Sequence, residues 1–387
     1  MSDAATPVER EVRRRLAAGA PLTFRDFMEL ALYLPGAGYY TRAAATTGRG
    51  GDFSTSPDVS PDFGRRLAVQ AAEVWERLGR GPWQLVELGP GRGLLAGDLL
   101  DGLARHAPAA RAALAELVLV ETSDALRAAQ SERLRAAHPG LAVRWAASPS
   151  ELEPGSIDGV VLGNEVLDAL PTHWLSRREH GLVERYVVAD PDDTPKLADG
   201  PLSDPRLAER VARYGLLPRA GDDTEVCLAL EEFVSAAARA LARGALLFID
   251  YGHPAARLRD EDHADGTLVA YHGHRVVFDL LARPGEQDLT AHVNWDHCAD
   301  AAVAAGLTPC GRVRQERFLL ALGLLEDLLL DPEPGAMSPA EQARRLAARA
   351  LIMPGAGGGI RFEVAGFVRG IPADLRGFGD PLAGMPV

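Results

Sequence analysis

Residues 84–100 read QLVELGPGRGLLAGDLL. The apolar run 84–88 has the length and composition of a short buried strand, and a helix is predicted from about Leu94 to Arg105. Between them stands Gly89-Pro90-Gly91-Arg92-Gly93. A glycine turn between a first strand and the next helix lets backbone approach a nucleotide closely. Outward from this point the chain alternates. LVLVE (117–121), LAVRW (141–145), IDGVVLGN (157–164) and ALLFIDYG (245–252) read as further strands. Helical spacing separates them at about 94–105, 124–137 and 229–242. This alternation predicts an α/β protein with a Rossmann-like, doubly wound, mostly parallel sheet.

The flanking sequence adds helices. Val8, Val12 and Leu16 recur at helical spacing over 8–18, and Thr23 with Asp26 resembles a capping box opening a second helix. Ser60 and Pro61 mark the start of a third, running to about Leu78. Residues 34–60 are too long for a plain connection, and such loops are functional or disordered. The organisation expected is an N-terminal segment, 1–80, whose helices and GDFSTSP loop pack on the ligand site. Residues 81–387 then form the main domain, with polar insertions at about 189–225 and 253–296 and a helical segment at about 318–351. RFEVAGFVRG (361–370) is predicted as a final edge strand.

The glycine turn discriminates between ligands. A dinucleotide needs GxGxxG with its pyrophosphate over the helix N-terminus, whereas the spacing here is GxGxG and Leu94 takes the third glycine's place. Glu87 precedes the turn. A carboxylate there suits a phosphate-free cation such as S-adenosylmethionine better than a pyrophosphate. Glu121, at the end of the second strand, can accept hydrogen bonds from both ribose hydroxyls. The order strand, acid, GxGxG, helix, strand, acid therefore predicts Glu87, Gly89, Gly91, Gly93 and Glu121 as cofactor ligands, with a dehydrogenase or plain packing as the weaker readings.

Composition narrows the partners. The chain has 387 residues and a formal net charge of −13, which argues against a broad nucleic-acid footprint. No apolar run reaches membrane-spanning length, so no membrane insertion is expected. The first residues carry charge without an apolar stretch behind them, unlike a secretory signal. Three dispersed cysteines form no CxxC pair and suggest a reducing cytoplasm. His272, His274 and His292 fit no standard ligand spacing, so no metal is expected.

Six segments carry a resemblance: GDFSTSPDVSPDFG (51–64), LVELGPGRGLLAGDLL (85–100), LVETSDALRAAQ (119–130), GNEVLDALP (163–171), IDYGH (249–253) and DLTAHVNW (288–295). In this order the sequence resembles the MidA-like family of S-adenosylmethionine-dependent methyltransferases. The resemblance implies a methyltransferase fold with family-specific insertions. For the family's mitochondrial member it further implies symmetric dimethylation of an arginine on a respiratory complex I subunit, so a protein substrate is expected.

Ligands of open α/β sheets bind beyond the strand C-termini, where the strand order reverses. Asn164, Glu165 and Asp168 follow the fourth strand there. Asn164 is expected at the cofactor, and Glu165 and Asp168 around a guanidinium, which matches carboxylates bidentately. Asp168 reads equally well as a helix cap. His253, after the fifth strand, is a candidate base, against the commoner structural role of a lone histidine. Asp52, Thr55 and Ser56 are expected to close over the cofactor, the two hydroxyls donating to its carboxylate, with an Asx-turn and a cap as the bland alternative. Arg92 either meets a carboxylate or faces solvent. A small-molecule methyltransferase and a non-enzymatic assembly factor remain as other readings, and the C-terminal helices offer either a homodimer contact or core.

Overall fold

The computed structural model describes residues 5–42, 55–190, 192, 194–217, 219–329, 337–353 and 362–381. The chain forms two compact units, each assembled from three segments.

The larger unit comprises Ser54–Val166, Phe233–Tyr251 and Ala299–Val387. Its strands are β1 (Trp83–Leu88), β2 (Leu114–Val120), β3 (Val143–Ala146), β4 (Ile157–Asn164), β5 (Leu241–His253), β6 (Thr308–Arg314) and β7 (Phe362–Arg369). They lie in the order β6-β7-β5-β4-β1-β2-β3. All neighbours are parallel except β7, which runs antiparallel to both β5 and β6. The strand order reverses between β1 and β4, so the switch point falls at the ends of these two strands. Apolar runs suit the central strands because both faces are covered.

Helices α1 (Asp62–Arg77), α2 (Leu94–His106) and α3 (Asp124–Ala137) belong to this unit. A side chain at Gly102 would strike the Arg65 Cα at 2.6 Å and the Ala68 Cβ at 2.7 Å, so α1 and α2 meet nearly backbone to backbone. Phe63, Leu67, Leu85, Leu99, Leu117 and Leu162 are among the residues of the core they cover.

Residues 362–369 are not an edge strand. β7 is inserted between β5 and β6, with Phe362, Val364, Phe367 and Val368 buried. The edge is β6, whose residues are mostly exposed. Phe318 and Leu319, with Ala348 and Leu351, join the core of this unit.

The smaller unit comprises Met1–Phe53, Leu167–Glu232 and Gly252–Cys298. The units thus divide the chain elsewhere than at residue 80, since α1 lies with the main sheet. Helices Pro7–Ala17 and Phe24–Tyr33 carry its apolar face: Val8, Val12, Phe24, Phe27 and Met28 are fully buried. Thr23 caps the second helix by accepting from Asp26 N. The predicted insertions are not plain loops. An antiparallel sheet runs Leu22–Thr23, Gly181–Ala189, His173–Arg178, Asp223–Val226, with Pro195–Gly200 also paired to Gly181–Ala189. Val269–His272 pairs with both Arg275–Val277 and Asp288–Thr290. Among the described residues no helix is long and apolar enough to cross a membrane.

Candidate cofactor and active site

β1 ends in the glycine turn. Gly89, Gly91 and Gly93 have φ of 65°, 50° and 70°. This left-handed backbone disfavours side chains. A Cβ at Gly89 would also approach the Val166 Cγ2 to 2.9 Å, whereas one at Gly91 would meet nothing within 4 Å. The turn therefore presents open space on its Gly91 side. Gly93 caps α2. Arg92 meets a carboxylate, pairing with Asp58.

Glu87, near the end of β1, is 4% exposed. Its Oε2 has no hydrogen-bond partner among the described residues. Burial pushes its pKa up to about 8; a backbone hydrogen bond from Ala96 opposes this, and the nearby Asp98 and Glu121 charges add to it. Asn164 closes β4. Its Nδ2 donates to Glu165 Oε1 at 3.0 Å, but its buried Oδ1 has no partner among the described residues. Glu87 lies opposite Leu162 in the register. Asn164 is two residues further along, so both side chains leave the same face of the sheet. Two buried, unsatisfied acceptors at adjacent strand ends are costly unless a ligand donates to them. A cationic amino group fits that demand, and a phosphate does not.

Glu121 lies just beyond β2 and is buried. Its Oε1 accepts from Ser123 N at 2.8 Å and its Oε2 from Gln130 Nε2 at 3.3 Å. Burial raises its pKa in spite of these bonds. The carboxylate keeps acceptor capacity beyond these bonds. Gln130 is a residue that the sequence reading missed. It is fully buried on α3, and the same Nε2 donates to Gly91 O at 2.7 Å, while its Oε1 accepts from Trp145 Nε1 at 2.9 Å. One amide thus ties the glycine turn to the acidic strand end.

Glu165 follows β4 with φ of 52°, a left-handed conformation that costs a non-glycine residue energy and clusters at functional sites. Its N–H donates to Ile249 O at 2.8 Å. Its Oε1 accepts from Ser56 N at 3.1 Å as well as from Asn164. Burial pushes its pKa up to about 8, against the Ser56 hydrogen bond and with help from Asp250. The Thr55 N–H and hydroxyl both donate to Asp58 Oδ2, and the Ser56 hydroxyl donates to Gln315 Oε1 at 3.2 Å. The hydroxyls expected for a cofactor carboxylate are thus engaged within the chain. Asp52 lies outside the described residues.

Asp168 and His253 belong to the smaller unit, not to the unit holding Glu165. Asp168 caps no helix, because the chain turns directly into strand His173–Arg178. It is buried and lines a small cleft with Glu225, Cys227, His292 and Asn294. His253 stands beside His263 and His292. The fold therefore gathers a different histidine set from the one that sequence spacing excluded.

An open, mostly parallel sheet with a glycine turn, bare acceptors at the switch point and a buried acid just past the second strand defines an S-adenosylmethionine-dependent methyltransferase. Residues 66–313 match the model of a family described as S-adenosyl-L-methionine-dependent methyltransferases. The chain belongs to this family, the MidA-like methyltransferases, and its cofactor is S-adenosylmethionine. It is 36% identical to a Burkholderia thailandensis protein whose crystal structure holds S-adenosyl-homocysteine, with a TM-score of 0.84 over 96% of this chain and 95% of that one. The zebrafish (Danio rerio) protein arginine methyltransferase NDUFAF7, mitochondrial, is 31% identical over 81% of this chain and 76% of its own length. The mouse (Mus musculus) protein of the same name is 29% identical over 84% of this chain and 76% of its own. These relatives are named mitochondrial, which overturns the cytoplasmic expectation. Cys227, Cys298 and Cys310 form no disulfide with one another.

Proposed function

We propose that this methyltransferase modifies an arginine side chain of a protein partner. The observation that carries the reading is Glu165: a half-buried carboxylate on left-handed backbone at the end of β4, beside the switch point where a methyl acceptor must arrive. The relatives named as protein arginine methyltransferases support it.

S-adenosylmethionine supplies an electrophilic methyl group on a sulfonium. The chain's own residues bind and orient. Glu87 and Asn164 receive the amino group on their bare oxygens, Glu121 receives the ribose hydroxyls, and the turn 89–93 admits the nucleoside. Gln130 fixes the distance between that turn and Glu121. Methyl transfer is an in-line displacement, so positioning and electrostatics account for most of the acceleration. Both hydrogen bonds to Glu165 fall on Oε1, which leaves Oε2 to accept guanidinium N–H groups. That contact orients the guanidinium and concentrates electron density on the attacking nitrogen. The role is assigned here to Glu165.

The test is incubation of a lysate with methyl-labelled cofactor, beginning with the complex I subunit that the resemblance implies, followed by mass spectrometry. Methylated arginine in a protein is expected. Label confined to small molecules would refute the protein-arginine reading and favour a small-molecule acceptor.

A further inference from the structure

Three histidines distant in the sequence meet in the smaller unit. Each of His253, His263 and His292 offers a ring nitrogen, and these atoms all lie within 4.8 Å of one another. The ring centroids are 4.7 Å apart for His253 and His263, 5.1 Å for His253 and His292, and 6.3 Å for His263 and His292. The rings are inclined to one another by 60–65°. They do not stack. They converge edgewise, as imidazoles around one point do. The Nδ1 of His263 is buried without a hydrogen-bond partner among the described residues.

The backbone holds each histidine from a different segment. His253 ends β5 and pairs with Asn294, and Gly252 pairs with Val293, so the chain just beyond His292 runs alongside His253. His263 opens a tight turn, in which Gly266 N donates to His263 O at 3.0 Å. Asp223 N donates to Ala264 O at 2.7 Å, pinning that turn to strand Asp223–Val226. Thr267 links the parts. Its N–H and hydroxyl donate to the half-buried Glu225, both at 2.9 Å, and its Oγ1 accepts from His292 N at 2.9 Å. The cluster is therefore held by strand pairing and partly buried hydrogen bonds, and is not a chance meeting of surface side chains.

We propose that His253, His263 and His292 bind a divalent transition-metal ion of the kind that prefers imidazole, with zinc as the type. Zinc–nitrogen bonds of about 2.0–2.1 Å place tetrahedral ligand atoms roughly 3.4 Å apart, a spacing that small ring rotations reach from the present one. Three protein ligands leave the fourth position to water. The ion clips together the end of β5, the 263–266 turn and the 292–294 segment, in a part of the chain whose strands are short. The spacing of the three residues matches no short sequence motif, which is why the sequence does not reveal the site.

The untagged full-length chain, stripped with chelator and dialysed, is titrated with Zn²⁺ by calorimetry and with Co²⁺ by visible absorption. One Zn²⁺ per chain at micromolar affinity or tighter is expected, with four-coordinate Co²⁺ bands that lack sulfur charge transfer. His263→Gln and His292→Gln should each weaken binding by more than about tenfold and remove the bands. His274→Gln, outside the cluster, should leave both unchanged. Circular dichroism of the metal-free variants establishes that they fold, and Zn²⁺ should raise the melting temperature of the wild type but not of either cluster variant. Absence of binding in the wild type, thiolate bands, or undiminished affinity in a folded His263→Gln protein would overturn the proposal.

Discussion

Glu87→Gln preserves the shape of the side chain and removes its ability to carry charge. In the wild type the buried carboxyl has a pKa pushed up to about 8, yet holding a cationic amino group requires the ionised form. At pH 7 only about one-tenth of the molecules are ionised, and at pH 6 about one-hundredth. Apparent affinity falls with the competent fraction. S-adenosylhomocysteine should therefore bind roughly tenfold more weakly at pH 7, and roughly a hundredfold more weakly at pH 6, than on the plateau above pH 8. Binding at pH 7 should release close to one proton. The assay is calorimetry across this range in buffers of different ionisation enthalpy. In Glu87→Gln the pH dependence should vanish. Plateau affinity should drop by about 1.5–3 kcal/mol, roughly 10–150-fold, for a lost charge-assisted hydrogen bond. Ligand-free stability should move the other way. The folded pKa is raised above the unfolded value, so the folded state keeps a proton that the unfolded state loses. That contribution is complete below the ordinary glutamate value of 4.5 and is lost as pH rises through about 8. The variant should thus melt higher than the wild type at pH 8. A flat affinity profile without proton release, or a variant that binds normally, would refute the reasoning.

Glu165→Gln should abolish methyl transfer while leaving the cofactor dissociation constant unchanged, as read by single-turnover kinetics beside calorimetry. Because burial pushes Glu165 up to about 8 as well, wild-type kcat should rise with pH towards that value and flatten above it, and an activity that falls over this range would count against an ionised Glu165. Gln130→Leu strips Gly91 O and Glu121 Oε2 of their donor, so cofactor affinity should fall by about 1–3 kcal/mol, while the protein should still fold by circular dichroism. Gly89→Ala combines a left-handed φ with a 2.9 Å approach to Val166. It should cost at least about 1–2 kcal/mol in denaturant unfolding and weaken the cofactor too.

The central sheet was legible because buried parallel strands are unbroken apolar runs, and IDGVVLGN maps directly onto β4. The glycine turn was legible because its left-handed backbone favours glycine at three alternate positions. The place of β7 was not, since an inserted antiparallel strand and an edge strand carry the same local pattern and differ only in their neighbours. The smaller unit was hidden for a related reason. Its three segments are scattered along the chain, and strands such as Pro195–Gly200 are too polar and half-exposed to stand out from loop. Gln130 did leave a signal. It takes a core position four residues after Leu126 and four before Leu134 on α3, and with Leu134 it is what that helix buries. A polar side chain in an apolar stripe asks for buried partners, and those partners prove to be the turn and Glu121. Thr55 and Ser56 were read as ligands of a cofactor, but both hydroxyls are used inside the chain. Side-chain pairing across long sequence separations, such as Ser56 with Gln315, cannot be read from spacing.

A crystal structure of this chain with S-adenosylhomocysteine tests the account most directly. The amino group should lie within hydrogen-bond distance of Glu87 Oε2 and Asn164 Oδ1, the ribose hydroxyls should face Glu121, and the backbone of Gly89–Gly93 should run beneath the nucleoside. A ligand bound elsewhere, or one that leaves those two oxygens bare, would contradict it.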